Sequence, residues 1–171
     1  MAIHSDVQNA INAQINNELH SYYRYLSAAA YFESSTPYGG FAAWMRLQAE
    51  EEQEHAMKFF DYLIDRGGAV KLKALPEPES DFGSPLEVFQ QSLSWEEEVT
   101  AQINGIFRVA QEANDFATMS FLGWFLDEQV EEEKSIGDMV DRLALAGDDT
   151  VALLGLDAEA GARKPESGDE D

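Results

Sequence analysis

The feature that most constrains this chain is an apolar stripe that gives way, at mid-helix, to a carboxylate and a histidine. From Phe41 onward, Phe41, Met45, Gln48, Glu52, His55, Phe59 and Leu63 follow one another at spacings of three or four. At 3.6 residues per turn these positions share one face, so Glu52 and His55 point where the apolar residues around them point. A carboxylate turned toward a core is costly unless something positive meets it. The chain carries 11 basic residues against 33 acidic ones, so the expected counter-charge is a metal ion.

Further helices repeat the interruption. The first is expected from about Ser5, as its cap, to Ser35, with Val7, Ile11, Ile15, Glu18, Tyr22, Tyr25 and Ala29 on one face. Thr36-Pro37-Tyr38-Gly39-Gly40 stops it, and the second helix covers about Phe41 to Arg66 before Gly67-Gly68. So short a loop requires these two to lie antiparallel. Residues 67–84 mix Val70, Leu72 and Leu75 with Pro76, Pro78, Ser80 and Gly83, an extended connection long enough to travel the height of a bundle. Ser84-Pro85 then opens a third helix with Leu86, Phe89, Leu93, Glu96, Ile103, Phe107 and Ala110 on one face. After a turn at Asn114-Asp115, a fourth carries Met119, Leu122, Phe125, Gln129, Glu132, Ile136, Met139 and Leu143 until Gly147. Thr150 to Leu156 forms a short fifth helix. The expected fold is all-α: a four-helix bundle of two antiparallel hairpins joined by a long crossover, with a short fifth C-terminal helix. One domain spans residues 1–156, and an acidic mobile tail spans 157–171.

Composition narrows the function classes. With 44% hydrophobic residues and five prolines in 171 residues, the chain can bury a sizeable core. A formal charge of −22 argues against nucleic acid and against an anionic membrane surface. No run approaches the roughly 18 apolar residues of a membrane span. The first residues lack the basic stretch and apolar segment of a secretory signal, so a cytoplasmic location is expected. The absence of cysteine excludes disulfides, zinc–thiolate sites and iron–sulfur clusters. Such an acidic balance suits cations, or a saline setting in which a solvated acidic shell keeps proteins soluble.

In one bundle the interrupting residues fall at similar depth: Glu18, Glu52 with His55, Glu96, and Gln129 with Glu132. Carboxylate oxygens and one imidazole suit iron, manganese or zinc better than copper(I). A shared carboxylate, Glu52, can bridge two ions and hold them close enough for two-electron chemistry on dioxygen or peroxide. Without metal, like charges repel and some of these groups stay protonated. A second acidic group adjoins the first: Glu51 beside Glu52, and Glu128, Glu131 and Glu132 at helical spacing. It reads either as a site for a third ion or as a solvated acidic face.

The segments Asn17-Glu18-Leu19, Glu51-Glu52-Gln53-Glu54-His55, Phe59-Phe60-Asp61-Tyr62-Leu63, Phe121-Leu122-Gly123-Trp124-Phe125 and Glu128-Gln129-Val130-Glu131-Glu132-Glu133-Lys134 resemble the non-haem ferritins of bacteria and archaea. The resemblance runs in order from about Ser5 to Leu156, and the bundle layout is the known one for ferritin-like di-iron proteins. It implies a ferroxidase centre in which Glu18, Glu52 and His55 hold one iron. Glu52, Glu96 and Glu132 would hold the second, with Gln129 nearby. Glu51, Glu128, Glu131 and Glu132 would form a third iron site. Tyr25 matches the family's tyrosine beside the di-iron pair and Trp124 an aromatic near it; each is an electron donor or ordinary core. The resemblance further implies oxidation of Fe(II) by dioxygen or hydrogen peroxide and storage of a ferric oxyhydroxide in a hollow homo-oligomer of 24 subunits. A di-iron oxidase or peroxide-detoxifying protein that stores nothing is the alternative.

Two departures set limits. Bacterioferritins repeat Glu-x-x-His on the fourth helix, where this chain has Gln129-x-x-Glu132, and ligate haem through a methionine where Gln53 and Glu54 stand here, so no haem is expected. Rubrerythrins append a cysteine-bound iron domain that this chain cannot form. His20, two residues from Glu18, faces away from it and is expected at the surface; His4 is expected at a frayed end.

Overall fold

A computed structural model describes residues 3–165. Its helices are α1 (Ser5–Ser35), α2 (Gly39–Asp65), α3 (Pro85–Glu112), α4 (Phe116–Ala146) and α5 (Thr150–Gly161), with no strand among the described residues. α1 runs along α2 and α3 along α4; the two hairpins meet chiefly through α1 and α3, and α5 lies mainly on α2.

The helix ends follow from local chemistry. Ser84 accepts from the Glu87 backbone N–H while the Glu87 carboxylate takes the Ser84 N–H, a complete capping box with Pro85 at the first position. α1 differs from expectation: Ser5 is already helical, and the cap is His4, whose Nδ1 accepts from the Asp6 N–H at 3.3 Å. Asp115 caps α4 through the Thr118 N–H and also takes a two-pronged ion pair from Arg66, both contacts at 3.0 Å. That pair ties the end of α2 to the start of α4.

The crossover climbs α1 as the sequence predicts, and the α1 side chains that hold it are amides and hydroxyls. Asn12 donates to Ala69 O and accepts from Lys71 N; Asn16 donates to Lys71 O and accepts from Lys73 N. Each side-chain amide thus satisfies an extended backbone as a neighbouring strand would. Farther up, Ser27 donates to Glu79 O and Tyr31 to Gly83 O.

The core lies in two apolar clusters, one at each end of the bundle. One gathers Val7, Ile11, Ile15, Phe59, Leu63, Val99, Ile103, Ile106, Leu122 and Phe125. The other includes Tyr25, Phe32, Phe41, Met45, Phe89, Trp95, Ile136 and Leu143, and reaches Leu156 and Ala160 of α5. Between them, in every long helix, fall buried polar residues, among them Glu18, Gln48, Glu52, His55, Glu96, Gln129 and Glu132. The α2 stripe is buried throughout, as expected. Elsewhere the stripe drifts by a residue: Tyr22, Leu86, Leu93, Phe107 and Met119 are half-buried, while Ser21, Ser92, Trp95, Ile106 and Thr118 are inside. A straight helix rotates relative to any fixed three-and-four pattern over seven turns, so the facing residue changes along its length.

The fifth helix continues past the expected domain boundary at Leu156. Asp157 Oδ1 accepts the Phe41 N–H at 2.8 Å, capping α2 from a distance, and Ala160 is buried. Asp157 to Gly161 therefore belong to the folded unit, and of the expected tail residues 166–171 lie outside the described residues. The close docking depends on Gly40, where an added Cβ would sit 1.7 Å from the Asp157 carbonyl oxygen.

Helix propensity alone favours alanine over glycine inside a helix by about 0.5–1 kcal/mol. Gly40→Ala is nonetheless expected to lower the thermal unfolding midpoint, since the clash is with backbone and costs about 1–3 kcal/mol. Gly105→Ala, with nothing within 4 Å of the new methyl, should raise it. Calorimetric scans of the two variants against the parent check both signs.

Candidate metal centre

Seven-residue periodicity on α2 brings Glu52 and His55 to the mid-height of the bundle, and α1 delivers Glu18 to the same level. One ligand atom from each of these three lies within 4.8 Å of the others, and all three residues are buried. His55 turns Nδ1 toward Glu52 Oε2 at 3.7 Å, beyond hydrogen-bond range, and Nε2 toward Glu128 Oε1 at 4.0 Å. Its ring is seated edge-on against Trp124 and Phe125, with centroids 5.4 and 5.9 Å away. Among the described residues no N–H donor reaches Glu18 Oε2 or either oxygen of Glu52, and the hydrogen bond left to the two carboxyls without metal is a proton shared between them. Buried acceptors left this way are rare in folded proteins, and three in one place mark a position for a cation.

Glu96 and Glu132 complete the layer from α3 and α4, and neutral groups orient them. Tyr25 donates its phenol proton to Glu96 Oε1, and Gln129 Nε2 donates to Glu96 Oε2 at 3.2 Å. Gln48 Nε2 donates to Glu132 Oε2 at 2.9 Å, and Gln14 Nε2 to Glu18 Oε1 at 2.9 Å. These donors fix carboxylate geometry without cancelling its charge, so attraction for a cation survives.

Protonation follows burial. Desolvation first, then the nearby Glu52 charge, raises the Glu18 carboxyl well above the ordinary range. Glu52 is raised well above it by burial and by Glu96. Burial and the Glu132 charge push Glu96 up to about 8, against the opposing pull of the Tyr25 and Gln129 hydrogen bonds. Burial, followed by Glu96, raises the Tyr25 phenol well above its usual value, so it stays protonated and remains a donor. At neutral pH the metal-free layer therefore holds protons where a cation would sit.

The flanking acidic residues are placed unevenly. Glu51 and Glu128 are partly buried beside the layer, whereas Glu131 is exposed on α4. His20 is half-buried rather than at the open surface, and its imidazole pKa is lowered, first by burial and then by Arg24.

Three supporting residues were missed by reading the sequence for carboxylates. Gln14 sits one turn before Glu18, and Gln48 stands in the very stripe that led to Glu52; an amide at an inward position is the signal for both. Arg163 gave no such signal, lying after a helix that was expected to have ended. It donates to Gln48 Oε1 and, at 2.8 Å, to Glu51 Oε2.

Comparison with known proteins gives the family. A family model for the ferritin-like domain matches residues 8–146. The chain is 42% identical over 154 residues to a bacterial non-heme ferritin of Staphylococcus aureus (strain USA300), covering 90% of this chain and 92% of that protein. It is 40% identical over 158 residues to a bacterial non-heme ferritin of Staphylococcus haemolyticus (strain JCSC1435), covering 92% and 95%. An open pore ferritin from the hyperthermophilic archaeon Archaeoglobus fulgidus superposes with a TM-score of 0.93 at 47% identity, over 95% of this chain and 100% of that one. A closed form of the same archaeal ferritin, engineered by site-directed mutagenesis, gives 0.94 at 46% identity, over 96% and 100%. With that identity, that coverage and the same five-helix architecture, the chain belongs to the ferritin family.

Proposed function

We propose that the protein stores iron, taking up Fe(II), oxidising it at the mid-bundle layer and holding the ferric product as an oxyhydroxide mineral inside a closed homo-oligomer. The observation that carries this reading is the convergence of Glu18, Glu52 and His55 within one buried cluster in which Glu18 Oε2 and both Glu52 oxygens meet no N–H donor of the described residues. Membership of the ferritin family supports iron as the cation, and the bacterial and archaeal ferritin relatives support the cage, for which 24 subunits is the proposed number. No helix of the described residues is long and apolar enough to cross a membrane; the proposed setting is the cytoplasm.

The proposed residue roles are those that the ferritin resemblance implies. Glu18, Glu52 and His55 bind one Fe(II); Glu52, Glu96 and Glu132 bind a second, with Gln129 steering Glu96. Glu51, Glu128, Glu131 and Glu132 would line a third and weaker ion position, where an ion has to compete with Arg163 for Glu51. Hard carboxylate oxygens favour Fe(III) over Fe(II), which supplies driving force for oxidation. Two Fe(II) release two electrons, enough with two protons to take dioxygen to hydrogen peroxide, or hydrogen peroxide to water. Tyr25 holds Glu96 in place and stands near enough to lend an electron through the same hydrogen bond.

A catalytically active protein that stores nothing would be small in solution. Size-exclusion chromatography separates the readings, because a monomer or dimer excludes a storage cage.

Glu52→Ala and His55→Ala are each expected to slow rapid Fe(II) oxidation by at least about a hundredfold, measured by the appearance of ferric absorbance in stopped flow; a parental rate in either variant would contradict the site.

Proton bookkeeping gives an independent check. A carboxyl whose pKa is raised on folding stabilises the folded state below its unfolded value and loses that contribution as pH climbs through the folded value. For Glu96 the window runs from 4.5 to about 8. The metal-free protein should therefore lose thermal stability across that window, and anaerobic addition of Zn(II) at pH 7 should both restore it and release protons into weak buffer.

Tyr25→Phe removes a hydrogen bond that pulls the Glu96 pKa down. Its Glu96 should hold a proton to higher pH, so that metal binding weakens more at pH 6.5 than at pH 9. Equal weakening at both would show that the phenol only fills space.

A further inference from the structure

The mid-bundle carboxylates are held by amides and a phenol, with one exception at their edge. Arg163, just beyond the C-cap of α5, reaches back to α2. Its guanidinium donates to Gln48 Oε1 and, at 2.8 Å, to Glu51 Oε2, and it lies 5.0 Å over the Trp44 ring. The pair is largely shielded, with side-chain exposures of 15% for Arg163 and 12% for Glu51. Its backbone is fixed as well, since Arg163 N–H donates to Ala160 O at 3.2 Å.

Two consequences follow from the donor inventory. A guanidinium has donors only, so Gln48 must present its oxygen to Arg163 and its NH2 to Glu132, where it is found at 2.9 Å. Arg163 therefore fixes the amide that orients Glu132. Glu51, one residue from Glu52, already faces a full positive charge supplied by the chain. A divalent ion approaching Glu51 must displace that guanidinium or share its carboxylate with it.

We propose that Arg163 is a positioning residue that serves as a built-in counter-cation for the metal centre: it reserves Glu51 against an additional divalent ion and, through Gln48, sets Glu132. The proposal rests on the reading of the layer as a site for two metal ions. It assigns α5 a part in metal stoichiometry, beyond its packing on α2.

The test is a calorimetric titration of the assembled, metal-free, full-length protein with Zn(II), a divalent ion without redox chemistry. The parent should bind a tight pair per subunit. Arg163→Gln should bind a further Zn(II) per subunit, about tenfold or more tighter than the weakest class in the parent, because a like charge has left the site. Arg163→Lys should restore the parental isotherm, since an ammonium at the same place still opposes the ion. Adding Glu51→Gln to Arg163→Gln should abolish the gain. Arg163→Met keeps the aliphatic stem over Trp44 and carries the same expectation where the glutamine variant does not fold. An Arg163→Gln or Arg163→Met isotherm identical to the parent overturns the proposal, as does a gain that survives loss of the Glu51 charge. Absence of the tight pair in the parent would instead overturn the two-ion reading itself.

Discussion

Mutual repulsion among carboxylates sealed in the middle of a helical bundle is the constraint from which the rest of this structure follows. Glu18, Glu52, Glu96 and Glu132 all lie at the same level and are nearly free of solvent. Left ionised and alone they would push the helices apart; protonated, they are tolerated but gain little. The bundle is held instead by the apolar clusters on either side, each drawing residues from all four long helices. The crossover, the Arg66–Asp115 pair and the docking of α5 add ties outside the layer. Stability is thus supplied at the two ends, and the middle is left for chemistry.

The kind of donor that faces the layer matters as much as its number. An arginine or lysine among the four carboxylates would satisfy them permanently and compete with any incoming cation. The donors present are Gln14, Gln48, Gln129 and Tyr25, each able to aim a carboxylate oxygen while leaving its charge unspent. Burial and mutual repulsion still raise the pKa values of Glu18, Glu52 and Glu96, so the metal-free layer holds protons at neutral pH. A divalent ion that enters displaces those protons and turns repulsion into shared attraction. Affinity for the ion and discomfort without it are the same electrostatic quantity seen from two sides.

What could be read from the sequence was whatever periodicity writes into one helix at a time. The α2 stripe, the Ser84-Pro85 start, the Gly147 stop and the buried depth of Glu18, Glu52, His55, Glu96, Gln129 and Glu132 all express a 3.6-residue repeat or a local cap, and the structure has them there. Contacts between distant segments left no such trace. Asn12 and Asn16 look like ordinary helix-surface amides until the crossover is laid against them. Asp157 and Arg163 looked like the start of a polar tail, because Gly, Pro and charge dominate the residues after them. A helix of this length is decided by what it docks on, here the notch at Gly40 and the rim of the metal layer, and composition cannot register either.

Four further basic residues extend the electrostatic pattern. Arg24 pairs with Glu98, Arg46 with Glu33, Lys134 with Asp138 and Arg142 with Glu159, each pair carrying substantial solvent exposure. Such pairs are screened and contribute little to stability. They do place positive charge outside the layer, in a chain whose formal charge is −22. Passing inward, the sequence of environments runs from screened pairs at the surface, to one shielded guanidinium at the Glu51 rim, to neutral donors around the central carboxylates. The counter-charge supplied by the protein falls away just as the dielectric screening does, so where Glu18, Glu52 and His55 converge the charge balance is left to protons or to a metal ion.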